Sequence, residues 1–157
     1  MAFTFSGPQL EQIETICARY PARRAAILPV LWMVQEQEGW ISAEATEAVA
    51  KVLDLTPAAV YEVITFYTMF QRKSCARHHL QVCRTLPCWL RGSAKLLAYL
   101  EKKLGIKAGE QTADGRFKLS TVECLASCGT APMMQAGHRY YEELTPEKVD
   151  KILEELK

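Results

Sequence analysis

The chain has 157 residues, 49% hydrophobic and 24% charged, with 19 Lys and Arg against 18 Asp and Glu and a formal net charge of +1. That length allows one medium domain or two small ones, and that charge balance excludes a strong electrostatic pull towards nucleic acid or an anionic membrane surface. No apolar run approaches the ~20 residues of a bilayer span, so direct membrane insertion is not expected.

The opening stretch MAFTFSGPQLEQIE has no basic start followed by an apolar run, so it is not expected to be a secretory signal. The chain is therefore expected in the reducing cytoplasm, where thiols stay free. The first 70 or so residues predict helices. Residues 8–20 carry Leu10, Ile13, Ile16, Cys17 and Tyr20 at helical spacing. Pro21 suits the first turn of a second helix running to Gly39, and Pro29 inside it is expected to kink it. Ser42 can cap a third helix with Ala45, Val49, Val52 and Leu53 on one face. Thr56 and Pro57 are cap and first position of a fourth, with Val60, Val63, Ile64 and Tyr67 apolar. Four short amphipathic helices over residues 1–72 predict a small helical bundle.

The texture changes after Phe70. The polar, basic stretch QRKSCARHH (71–79) predicts a linker. Leu80 and Val82 then alternate with polar residues as a strand does. Gly92 and Ser93 open a helix that carries Leu96, Leu97 and Leu100 and ends at Gly105. Asp114-Gly115 marks a turn before a second alternating run, Phe117, Leu119 and Thr121. Residues 132–135 and 139–141 flank Gly137 as a hairpin, and Thr145-Pro146 caps a last helix with Val149, Ile152, Leu153 and Leu156 apolar. The order strand, helix, strand, hairpin, helix over residues 78–157 predicts an α/β domain with a mixed sheet.

Six cysteines lie along the chain, and four fall into two close pairs: Cys83-x4-Cys88, then 35 intervening residues, then Cys124-x3-Cys128. The two strands of a βαβ unit run parallel, so loops following them emerge at one end of the sheet and can converge. Four soft thiolates brought together make a site for zinc or an iron–sulfur cluster. Structural zinc knuckles use tighter C-x2-C pairs, and the wider gaps here leave room for a larger group with bridging sulfides. The spacing favours the cluster and leaves a structural zinc scaffold open. It is not the plant-type ferredoxin pattern, and His78, His79 and His138 do not stand beside cysteines as a Rieske centre requires. A C-x-x-C redox dithiol, which a free-standing thiol oxidoreductase would need, is lacking. So are a dinucleotide fingerprint, a phosphate-loop lysine and an H-E-x-x-H helix, so catalysis by this chain alone is not expected. Cys17, on an apolar helix face, is expected to pack as a small hydrophobe, and Cys75 to be a spare thiol.

The segments VCRTLPCWLRGS (82–93) and VECLASCGTAPMMQ (122–135) resemble the two cluster-binding segments of the thioredoxin-like [2Fe–2S] ferredoxin subunits of NADH:quinone oxidoreductase, respiratory complex I. ARRAAILPVLWMVQEQEGWIS (22–42) and VITFYTMF (63–70) extend the resemblance across nearly the whole chain. The resemblance implies a helical bundle followed by a thioredoxin-like domain, with Cys83, Cys88, Cys124 and Cys128 as the ligands of a [2Fe–2S] cluster. It implies docking by residues 1–72 on a flavoprotein subunit that carries FMN and binds NADH, among further peripheral-arm subunits. The complex would lie on the inner face of an energy-transducing membrane. The same module serves NAD-linked formate dehydrogenases and flavin-based hydrogenases. One departure stands out: the family usually has glycine where Ala126 stands, so either this position is not left-handed or the loop is strained. Trp89 is expected to pack against its surroundings. Arg84 and Arg91, close to ligands, either act on the charge of the site or are solvated or paired with a partner.

Overall fold

The computed structural model describes residues 3–156; Met1, Ala2 and Lys157, at the outer ends of the two expected domains, lie outside them. The chain divides into two compact units, Met1–Ser74 and Cys75–Lys157.

The first unit holds four helices: α1 (Gly7–Cys17), α2 (Ile27–Glu38), α3 (Ala43–Leu53) and α4 (Pro57–Phe66). Their starts follow from capping chemistry. The Ser6 N–H donates to Gln9 Oε1 at 2.9 Å, Ser42 Oγ accepts from the Ala45 N–H at 3.0 Å, and Thr56 Oγ1 accepts from the Ala59 N–H at 3.2 Å. Two expectations are corrected. α1 ends at Cys17 rather than Tyr20, because Pro21 disfavours helical angles in the residue before it. The second helix begins at Ile27, after a 3-10 turn at Arg23–Ala26. Pro29 is thus the third helical residue, in the first turn, where its missing N–H would have had no intrahelical partner, so no kink is called for. Gly39 ends α2 in the left-handed region at φ 77°, its N–H bonded to Gln35 O.

Ile13, Val30, Leu31, Val34, Val49, Leu53, Val60 and Ile64 fill the core between these helices, with Cys17 buried among them. Each such side chain contributes about 1.5–3 kcal/mol by leaving water. Gln35 holds the segment that follows α4 by both ends of its amide. Nε2 donates to Met69 O at 2.9 Å and Oε1 accepts from the Gln71 N–H at 2.6 Å.

The second unit runs β1 (His78–Cys83), α5 (Leu86–Leu90), α6 (Ser93–Leu104), β2 (Phe117–Val122), β3 (Met134–Ala136), β4 (Arg139–Tyr141) and α7 (Pro146–Glu155). The sheet order is β2-β1-β3-β4; β1 pairs parallel with β2 and antiparallel with β3, and β4 closes the hairpin. The unit is therefore α/β with a mixed sheet. Leu80, Val82, Leu119 and Met134 from the sheet meet Leu96, Leu100, Val149 and Leu153 from the helices in one core. The expected linker over 71–79 is too long, since His78 and His79 belong to β1. Parallel pairing with β2, His78 opposite Phe117 and His79 opposite Lys118, overrides their polar character. The short α5 has too few residues to show a period and was not foreseen.

His79 Nε2 lies 2.7 Å from Ser120 Oγ. Burial, and to a lesser degree the nearby Lys118 charge, push His79 down to about 4, so it is neutral in the fold. In the unfolded chain it titrates near its ordinary value of 6.5. The folded state therefore keeps its full stability above about pH 6.5, loses it as the pH falls towards 4, and loses no more below that. After allowance for solvent screening the loss is on the order of 2 kcal/mol. Urea midpoints measured between pH 7 and pH 4 should fall for the wild type by that much more than for His79→Gln. Parallel curves would assign the pH dependence elsewhere.

Candidate metal centre

Cys83 is the last residue of β1 and Cys88 lies within α5; they are 2% and 1% exposed. Thr85 opens α5 in an extended conformation, with Pro87 in the first turn, so the chain turns sharply and brings Cys88 back towards Cys83. Cys124 stands two residues beyond β2, and Cys128 begins the 3-10 turn Cys128–Thr130. Because Cys83 pairs in register with Val122, the two loops leave the sheet at the same end. The Arg84 N–H continues the ladder to Val122 O at 3.0 Å.

The four thiols meet there as two pairs. Cys83 and Cys88 lie within hydrogen-bonding reach of each other, as do Cys124 and Cys128, and Cys128 is close enough to Cys83 and Cys88 for their charges to interact. Burial pushes the Cys83 thiol up, but the Thr85 hydroxyl at 3.3 Å and backbone N–H groups outweigh it and leave the thiol below its ordinary value. Burial, then the neighbouring Cys83 and Cys128, push Cys88 up to about 11. Burial and the adjacent Cys124 raise Cys128 as well. Four sulfurs so crowded repel one another as thiolates, and a cationic metal centre relieves that repulsion. Among the described residues no three His, Cys, Asp or Glu side chains are placed around a point for a single metal ion. Two donors on each side suit a centre of two irons bridged by sulfide.

The two halves differ. Cys83 and Cys88 pack with Ala131, Met133 and Leu125, whereas Cys124 and Cys128 are exposed. Cys17 is in the helical core, and Cys75 is half-buried beside Lys118.

Ala126, between the second pair, has φ 59°, so the left-handed alternative holds, and its N–H donates to Cys124 Sγ at 3.3 Å. A left-handed L-residue costs roughly 1–2 kcal/mol, partly returned by the lower entropy of alanine in the unfolded chain. Ala126→Gly should therefore raise stability by about 0.5–1 kcal/mol, read as a higher urea midpoint. A lower midpoint would mean that the alanine methyl makes contacts worth more than the strain.

Trp89 does not pack as expected. α5 has five residues, Cys88 takes its buried side, and Leu86, Trp89 and Leu90 are 67%, 59% and 70% exposed. Neither arginine is free. Arg84 Nε donates to Glu123 Oε1 at 2.8 Å, joining the residue after Cys83 to the residue before Cys124. Both side chains are largely exposed, so the pair contributes at most about 1 kcal/mol. Arg91 Nε donates to Ala131 O at 3.2 Å, beneath the buried pair. Periodicity carries no sign of these contacts, nor of the Glu142 carboxylate, which accepts from the hydroxyls of Ser127 and Thr130 on either side of Cys128.

The thioredoxin-like [2Fe–2S] ferredoxin family matches residues 13–157. The chain belongs to this family. Within this thioredoxin-like [2Fe–2S] ferredoxin group it is 46% identical over 156 residues to an NADH-quinone oxidoreductase subunit of Rickettsia felis, covering 98% of this chain and 93% of that one. The corresponding NADH-quinone oxidoreductase subunit of Rhizobium meliloti is 46% identical over 144 residues, covering 92% of this chain and 86% of the relative. Among solved structures, a chain of the air-oxidised NAD+-reducing [NiFe]-hydrogenase superimposes with a TM-score of 0.72 at 22% identity over 81% of this chain. This ferredoxin-family chain spans 22% of the hydrogenase chain, and the likeness shows a shared fold.

Proposed function

We propose that the chain is the electron-transfer iron–sulfur subunit of an NADH-quinone oxidoreductase, carrying a [2Fe–2S] cluster on Cys83, Cys88, Cys124 and Cys128. The observation that carries the ligand assignment is the meeting of two thiol pairs at one end of two parallel strands. Family membership and near-full-length relatives that are subunits of that oxidoreductase support the function. A structural zinc scaffold fits less well, since the donors stand as two pairs.

When bound, the cluster supplies storage for one electron. The protein's own residues do the rest. Cys83 and Cys88, packed against Ala131 and Met133, give the site a dry wall. Cys124 and Cys128 hold the opposite side at the surface, where a partner can approach. Leu86, Trp89 and Leu90 present apolar side chains beside the buried pair, chemistry suited to excluding water from a contact. Glu123 balances the Arg84 charge, so the two ligand loops add little net charge.

The electron donor in this reading is the FMN- and NADH-binding flavoprotein subunit, because the chain carries no nucleotide fingerprint of its own. Further peripheral-arm subunits complete the complex on the cytoplasmic side of the membrane. Among the described residues no helix is long and apolar enough to cross a bilayer. The test is anaerobic. NADH added to the cluster-loaded chain alone should leave its visible absorbance unchanged, and addition of the flavoprotein subunit should bleach it within the mixing time. NADH oxidation by the pure, flavin-free chain, or no bleaching with the flavoprotein present, would overturn the assignment.

A further inference from the structure

The two halves of the metal centre are held by different physics. Cys83 ends a central strand, and Cys88 is fixed by apolar packing against Ala131 and Met133. The turn Cys128–Thr130 contains no buried residue, so packing does not fix Cys128. Polar bonds from the segment just after β4 do. The Glu142 carboxylate accepts from the Ser127 hydroxyl, immediately before Cys128, and from the Thr130 hydroxyl, two residues after it, at 2.6 Å for the latter. The two hydroxyls sit 2.8 Å apart, converging on one carboxylate oxygen. Backbone bonds extend the clasp: the Glu143 N–H donates to Thr130 O at 2.7 Å and the Leu144 N–H to Pro132 O at 2.9 Å. Glu143 is itself left-handed, at φ 47°. Such a conformation persists only where its surroundings determine it, and here those surroundings are the clasp.

We infer that Glu142 is the positioning residue for the exposed half of the centre, holding Cys128 through the hydroxyls of Ser127 and Thr130. Hydroxyl bonds to an ionised carboxylate are stronger than neutral ones, and two of them fix both flanks of one ligand. Without them the turn is tethered by the backbone bonds to Glu143 and Leu144, and the Cys128 sulfur can sample positions unsuited to its iron. Supporting bonds one step removed from a metal ligand typically change metal retention tenfold or more when lost. The inference rests on the cluster assignment above and goes beyond it by naming what orients one ligand.

The test compares cluster-loaded full-length wild type, Glu142→Ala, Glu142→Gln and Ser127→Ala/Thr130→Ala. Iron transfer to a chelator is followed with the visible circular dichroism of the cluster and far-UV unfolding. Glu142→Ala and the double variant should release iron roughly tenfold faster, with altered visible dichroism and a far-UV unfolding midpoint close to wild type. Glu142→Gln keeps an acceptor oxygen and should restore most of the wild-type spectrum and an intermediate rate. Wild-type release and spectrum in Glu142→Ala would overturn the inference. So would faster release that only follows a global fall in the unfolding midpoint, with an unchanged spectrum for the cluster that remains. A wild type without iron and sulfide would instead overturn the cluster assignment beneath it.

Discussion

Changing any one of Cys83, Cys88, Cys124 or Cys128 to serine is expected to remove or destabilise the bound cluster, leaving roughly a tenth of the wild-type iron after gel filtration. A serine hydroxyl is a harder, far less acidic ligand than a thiol and binds iron poorly at neutral pH. The four changes should not be equivalent for the fold. Cys83 and Cys88 are buried against Ala131 and Met133, so serine also places a hydroxyl in an apolar wall at about 1–3 kcal/mol. Their unfolding midpoints should drop even in metal-free protein. Cys124 and Cys128 are exposed, so their apo midpoints should stay near wild type. Cys17→Ser and Cys75→Ser should leave the visible spectrum intact. A stable cluster with a normal spectrum in Cys124→Ser would show that the ligand set is wrong.

The second large effect concerns division of labour between the units. We propose that residues 1–72 dock on the flavoprotein subunit and that residues 78–157 carry the cluster. Each unit has a core of its own, which supports testing them apart. The bundle leaves Tyr61 and Phe66 of α4 exposed, and aromatic side chains of that kind are common anchors of protein interfaces. A chain starting at Cys75, where the second unit begins, should assemble a cluster with a near-native spectrum. It should bind the flavoprotein at least about tenfold more weakly than the full chain, a difference of about 1.4 kcal/mol. Equal affinity, measured by calorimetry or by the concentration dependence of NADH-driven bleaching, would remove the docking role from the bundle.

What the sequence made legible was local. Ser42, Thr56 and Thr145 cap their helices by bonds to residues three positions away, so the pattern lies in a few adjacent letters. Gly92 and Gly105 bracket α6 for the same reason. Alternation at Phe117, Leu119 and Thr121 marked β2, and with it the end of the sheet where the cysteine loops meet. What stayed hidden depended on partners distant in the chain. His78 and His79 join β1 only because β2 lies alongside, and Pro29 is harmless only because a 3-10 turn delays the helix start. The bonds Arg84–Glu123 and Glu142–Thr130 span 39 and 12 positions, and no period announces them. Trp89 misled because an aromatic residue beside a candidate ligand suggests packing, while the five-residue α5 has only one side to bury.

The measurement closest to the central claim is metal and sulfide analysis of the full-length chain purified anaerobically from its native host. A [2Fe–2S] cluster predicts about two iron and two acid-labile sulfide per chain, a reddish-brown solution and no stoichiometric zinc. A colourless protein with about one zinc per chain, and neither iron nor sulfide, would contradict the account and make the four cysteines a structural zinc site.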